Sequence, residues 1–246
     1  MKLWAIRLFA ASIVMLMIAV SPKVSASDFL GFRLLDLDGT AVRWGSGRES
    51  TLKVTYAFVR NRMQFPNARN CRGVDSPDGL LANSNIDRTV FEQEVRAAFV
   101  MWEQVTGIIF QETSDVASAG ILIGSQIEPA GRAFANVEYR PSTGKIREIE
   151  KSLICLNPSK RWKIGFGGSL DVYDLRYTIA HEIGHAIGLD HPDSGNQLMS
   201  FSYRENFRTL QPGDVEGAVR IYGARTAPQI DLTEPQMADA ASRPRG

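Results

Sequence analysis

The sequence predicts an α+β fold, a twisted mixed sheet of about five strands backed by three main helices. Three observations lead there. The run Leu52-Lys53-Val54-Thr55-Tyr56-Ala57-Phe58 alternates with period two and is β-branched and aromatic, as a half-buried strand requires. Phe91, Val95, Ala98, Phe99, Trp102 and Val105 recur at helical spacing, which predicts an amphipathic helix over 88–105 whose apolar face covers a sheet. Strand-like segments fill the middle of the chain and helical ones its end, so the two kinds of structure are segregated.

The remaining elements follow in order. Residues 61–85 are rich in Asn, Asp, Pro, Gly and Ser and read as a long loop, which must be functional or tied down by a crosslink. Thr89 followed by Glu92 is a capping-box signature for the first helix, and Gly107 ends it. Short strands are expected at 108–112, 121–124, 132–139 and 153–156, separated by Ser118-Ala119-Gly120, Pro129-Ala130-Gly131 and Pro141-Ser142-Thr143-Gly144. A glycine cluster at 165–168 precedes a second helix over 174–187. Pro212 starts a third over 212–222, with Gly223 as its C-cap.

The ends of the chain read differently. Lys2 and Arg7 flank an apolar start, residues 8–20 carry no charge, and Val24-Ser25-Ala26 is a small-residue cleavage site, so residues 1–26 are expected to be a signal peptide. The competing reading is an uncleaved anchor, for which the apolar run is short, since a span needs about 20 residues. Residues 27–50 read as an irregular lead-in, 51–224 as the folded domain, and 225–246 as a disordered tail. The whole chain carries a net charge of +1, and loss of Lys2, Arg7 and Lys23 leaves a slight acidic excess. No basic footprint remains for nucleic acid. The expected product is exported, outside the cell or in the periplasm, monomeric, and without stable membrane insertion after cleavage. Two cysteines, Cys71 and Cys155, form an even pair, and in an exported protein this favours one disulfide.

The segment that carries chemistry is 181–191, His-Glu-Ile-Gly-His-Ala-Ile-Gly-Leu-Asp-His. Residues four apart share one face of a helix, so His181 and His185 can address one metal ion. Gly188 allows a sharp turn at positive φ, which swings His191 back as a third ligand. Three neutral imidazoles that leave a position for water make the open, catalytic kind of zinc site. Glu182, next to the first ligand, is placed as general base. The chain has three histidines, all in this motif.

These residues resemble the signature of the metzincin metallopeptidases, in which the motif is followed by a methionine turn. Leu198-Met199-Ser200 fits that turn, and the resemblance implies that Met199 forms an apolar floor beneath the histidines. Within the clan the chain is most similar to the matrixins: Ala98, Phe99 and Trp102, then Val105-Thr106 and Phe110, then Gly188-Leu189-Asp190-His191, then Val215 to Tyr222-Gly223 follow their pattern over about residues 50–223. The resemblance implies a zincin-like fold, one catalytic zinc and hydrolysis of peptide bonds. Its substrate would be a protein or peptide extended along an edge strand near Ala133, Phe134 and Ala135. Tyr203 matches the tyrosine that lines the matrixin specificity pocket.

Departures narrow the match. Pro192 follows His191 where animal matrixins carry serine. Phe201 stands where serralysins place a zinc-binding tyrosine, so that ligand is ruled out. The structural zinc of animal matrixins needs further histidines, and the chain has none. Calcium is left open, with no residue pattern to support it. Cys71, in Asn70-Cys71-Arg72-Gly73-Val74-Asp75, superficially resembles the matrixin inhibitory cysteine, but it follows the first strand instead of preceding it. A Cys71–Cys155 disulfide is the preferred reading over a regulatory, zinc-blocking thiol. A reading from another class remains beside the enzyme: a secreted zinc-binding interaction protein that kept the motif and lost turnover.

Overall fold

The computed structural model describes residues 31–225, apart from 48, 50, 142, 143, 145 and 194. The expected signal peptide and the chain beyond Arg225 lie outside the described residues. No helix among the described residues is long and apolar enough to cross a membrane.

Five long strands form the sheet: β4 (Leu52–Phe58), β7 (Ile108–Glu112), β8 (Ile121–Gln126), β9 (Ala133–Tyr139) and β10 (Ile146–Leu156), in the spatial order β7-β4-β8-β10-β9. Three neighbouring pairs are parallel, and β9 runs antiparallel to β10 at one edge. A parallel connection needs a crossover, and the helix α2 (Arg88–Glu103) supplies it between β4 and β7. Phe91, Val95, Phe99 and Trp102 on its inner face are buried. The Phe99 ring stacks on Tyr56 of β4 at 4.1 Å and tilts against Phe110 of β7 at 4.8 Å, so aromatic packing fixes helix to sheet. Asp87 caps α2 by accepting from the Thr89 N–H; the capping box expected at Thr89 and Glu92 does not form, and Glu92 pairs with Arg60 and Arg96 instead.

The helix α3 (Leu175–Ala186) packs beside α2, and the Trp102 indole N–H donates to the Ala180 carbonyl at 2.9 Å. The last long helix, α4 (Pro212–Tyr222), agrees with the expected 212–222. A short helix, α1 (Asp78–Ser84), precedes α2.

Three regions differ from expectation. The segment 61–85 is not one long loop: it holds β5 (Met63–Gln64), β6 (Gly73–Asp75) and α1, and β6 pairs antiparallel with β8. Its turn-forming residues hid short elements that only pairing with the sheet stabilises. The part of the lead-in described, from residue 31, is not irregular either. It forms β1 (Arg33–Leu34), β2 (Asp36–Leu37) and β3 (Thr40–Arg43), and β3 pairs parallel with the first residues of β10. The folded body therefore begins before residue 51. β10 is also far longer than the expected 153–156, because its first half is half-exposed and polar and shows no apolar run. Two further strands, β11 (Arg161–Lys163) and β12 (Val172–Asp174), pair with each other before α3.

Cys71 and Cys155 form a disulfide across 84 residues, which ties the segment after β5 to β10, and no free cysteine is present. The zinc-blocking thiol is thereby excluded for this state.

Candidate active site and metal centre

α3 starts at Asp174, whose buried carboxylate accepts the Tyr177 N–H at 2.8 Å and pairs with Arg208. All of the helix except Arg176 and His185 is buried, so the protein covers it on most sides. It ends where Gly188 takes φ +99°; a Cβ there would strike the Val42 carbonyl oxygen, so both backbone conformation and space require glycine. The carbonyls at the end of α3 have no partner in the helix and are satisfied from distant segments. Ala186 accepts from the Trp44 indole, Ile187 from the Tyr222 hydroxyl and Gly188 from the Leu35 N–H. After the turn, β13 (Leu189–Asp190) pairs with β1 and delivers His191.

The three imidazoles converge. Nε2 of His191 lies 3.1 Å from Nε2 of His181 and 3.1 Å from Nε2 of His185. Nδ1 of His181 faces the Leu198 carbonyl at 2.8 Å, and Nδ1 of His185 faces the Leu189 carbonyl at 2.8 Å. A carbonyl only accepts, so each Nδ1 carries the proton and each Nε2 presents a lone pair. Burial holds the His181 imidazole well below the usual histidine range and lowers His185 to about 4, so both are neutral at pH 7.

This arrangement fits a metal ion. Two nitrogens at about 2.0–2.1 Å from a shared tetrahedral zinc are about 3.3 Å apart, close to the spacing found. The three histidines form a group whose donor atoms all lie within 4.8 Å of one another. With both thiols in the disulfide, the donors are imidazoles alone.

Glu182 is 3% exposed. Burial raises its carboxyl to about 7, while the Arg132 charge and a hydrogen bond from the backbone of Ala135 act the other way. Glu182 thus bridges α3 to the edge strand. Met199 is 2% exposed and packs against the histidine-bearing helix. Its Sδ packs where a Cβ at Gly184 would stand, between His181 and His185 on the helix.

A cleft of about 410 Å³ runs over the histidines and Glu182, lined by β9 residues 133–137 on one side and by Leu35, Leu37 and Phe201 on others. Ala133, Phe134 and Ala135 are therefore in the cleft wall. Tyr203 is not among its lining residues. The Tyr203 hydroxyl donates to Glu205 at 2.7 Å and accepts the Asp174 N–H at 2.8 Å, and its ring lies under the Arg132 guanidinium at 5.3 Å. Sequence reasoning missed Asn70 and Arg132 in the cleft wall. Asn70 stood next to a singled-out cysteine, and Arg132 at the start of an expected strand, which gave no sign of where either side chain would point.

A family model described as Matrixin (peptidase M10) matches residues 80–223, more than half of the chain. The chain belongs to the matrixin family. Among curated matrixin-like relatives, it is 26% identical to stromelysin-2 of Rattus norvegicus over 174 residues, 65% of this chain and 34% of that protein. It is 26% identical to the hatching enzyme of Paracentrotus lividus over 155 residues, 58% of this chain and 24% of that one. It is 28% identical to metalloendoproteinase 1-MMP of Arabidopsis thaliana over 149 residues, 58% of this chain and 40% of that one. The matched matrixin region thus spans between a quarter and two fifths of these relatives.

Proposed function

We propose that this matrixin is an exported zinc-dependent endopeptidase, with His181, His185 and His191 as the metal ligands and Glu182 as general base. One observation carries the reading: three Nε2 atoms converge beside a buried carboxyl that faces an open cleft. Family membership and the names of the relatives support it. The disulfide supports export, since such bonds persist in oxidising compartments.

Zinc, when bound, polarises the scissile carbonyl and acidifies water. The chain supplies the rest. Glu182 takes the proton from the attacking water and delivers it to the leaving amine. The Nδ1–H bonds to Leu198 and Leu189 hold the ligand imidazoles in the tautomer that presents Nε2. β9 offers a peptide its outer edge. The Arg132 carbonyl accepts from the Asn157 N–H just past β10, so the odd-numbered residues of β9 turn their backbone groups outward. The Ala135 groups are taken, its carbonyl by Asn70 Nδ2 at 3.0 Å and its N–H by Glu182. An added peptide strand is thus received through Ala133 and Val137.

The test is hydrolysis of unfolded casein and of a peptide library by the purified chain, with a chelator arm and a Glu182→Ala arm. Cleavage that survives either treatment, or that never occurs, sinks the reading; in the second case retained zinc binding points to a binding protein.

A further inference from the structure

Arg132 immediately precedes β9 and lines the cleft beside the candidate metal ligands. Its guanidinium lies over the rings of Tyr173 at 5.6 Å and Tyr203 at 5.3 Å. Among the described residues it has no ion-pair partner, and its buried Nε has no hydrogen-bond acceptor. Neighbouring cations are treated differently. Arg176 and Arg208 share Glu94, Arg208 also pairs with Asp174, and Lys163 pairs with Glu205. Beyond Arg132 the surface continues as a groove of about 600 Å³ whose lining, among the described residues, contains Arg132 and Lys160 and no acid.

A half-buried guanidinium whose donors are unspent, beside a site built for a dication, lacks an anion. The two tyrosine rings hold the guanidinium by cation–π contact, which leaves its N–H donors for a planar acceptor. We propose that Arg132 is a specificity-determining residue, which receives the carboxylate of an acidic substrate side chain at the subsite beside the start of β9. This rests on the endopeptidase reading for its substrate class. Arg132 lines the cleft and Tyr203 does not, and the Tyr203 ring lies against the guanidinium as its platform.

The experiment measures binding by calorimetry, on the zinc-loaded full chain, of a series of peptidyl hydroxamates. Each carries Glu or its uncharged isostere Gln at one of the first side-chain positions. A charge-assisted, bidentate contact predicts one position at which Glu binds about tenfold or more tighter than Gln. That ratio falls to about threefold or less in Arg132→Gln and partly survives in Arg132→Lys. Equal affinities at every position, or a preference kept in Arg132→Gln, overturns the assignment. Should Arg132→Gln fail to fold, the wild-type Glu and Gln pairs still decide. Parallel cleavage of the matching peptides separates the two readings. Acid-selective binding without any cleavage removes the endopeptidase reading and leaves Arg132; cleavage without acid preference removes Arg132 alone.

Discussion

The Asp214 carboxylate accepts the backbone N–H of Met199 at 3.0 Å, so the first turn of α4 holds the methionine turn in place. The same carboxylate takes the Leu198 N–H at 2.8 Å and the Gln211 N–H at 2.7 Å, and Asp214 is 1% exposed. Leu198 in turn orients His181 through its carbonyl. Asp214→Asn replaces an acceptor by a donor that faces N–H groups. It is expected to cost about 1–3 kcal/mol in urea unfolding and to weaken zinc binding by about tenfold. Unchanged zinc affinity in a folded variant would separate this carboxylate from the site.

Gly184 gives a second expectation, with competing signs. Alanine in place of glycine favours a helix by about 1 kcal/mol. At Gly184, however, a Cβ would overlap Met199 Sδ and stand 3.1 Å from the Trp102 ring. Overpacking of a core costs about 1–3 kcal/mol, so Gly184→Ala is expected to destabilise. In a double-mutant cycle, Met199→Ala combined with Gly184→Ala should cost less than the sum of the two. Additive effects would show that the two positions do not touch.

How much of this could be read in advance depends on how far each partner lies along the chain. His181, Glu182, His185, Gly188 and His191 fall within one helix and its turn, so 3.6-residue geometry and one glycine account for them. The long strands and helices were legible for the same reason, since each carries its own periodicity. What holds the site is non-local. Trp44 reaches Ala186, Tyr222 reaches Ile187 and Asn70 reaches Ala135, and nothing in local patterning pairs them. The strands before residue 50 are two to four residues long, too short to show a period, and exist because β10 and β13 offer an edge. Arg132 precedes a strand, and its role emerges only when Tyr173 and Tyr203, which come from separate segments, meet it.

Metal removal should be visible without substrate. A ligand bound to the folded chain alone stabilises it by about 4 kcal/mol at a thousandfold excess over its Kd. At about 2–4 °C per kcal/mol for a domain of this size, a chelator should lower Tm by roughly 8–16 °C. His185→Ala should start from the lower Tm and respond little to chelator. A wild-type Tm indifferent to both zinc and chelator would deny the histidines a metal.

The disulfide closes a loop of 84 residues in sequence separation, which restricts the unfolded chain. Replacing Cys71 and Cys155 together by alanine should therefore cost about 2–5 kcal/mol, read from denaturant midpoints. Because Asn70 adjoins Cys71 and holds the Ala135 carbonyl, hydrogen exchange should also quicken along β9. Protection equal to wild type at β9 would confine the crosslink's effect to the unfolded state.

Arg96 ties α2 to β7 through Glu112, with Nε to Oε2 at 2.7 Å and a second bond at 3.0 Å. The Arg96 hydrogen bonds hold the Glu112 carboxyl below the usual carboxylate range, against a smaller opposing effect of burial. A depressed folded-state value means that the unfolded chain takes up its proton first as pH falls. The pair's stabilisation is therefore complete above the unfolded carboxyl pKa of about 4.3 and is lost as pH drops through the lower folded-state value. Both side chains are more than a third exposed or close to it, so solvent screening keeps the contribution below about 1 kcal/mol. Glu112→Gln should be slightly less stable than wild type at pH 7 and nearly equal to it in strong acid, with the gap shrinking further in high salt. A gap that widens toward low pH would mean the carboxyl is raised, not lowered, and that the ion pair does not hold α2 to the sheet.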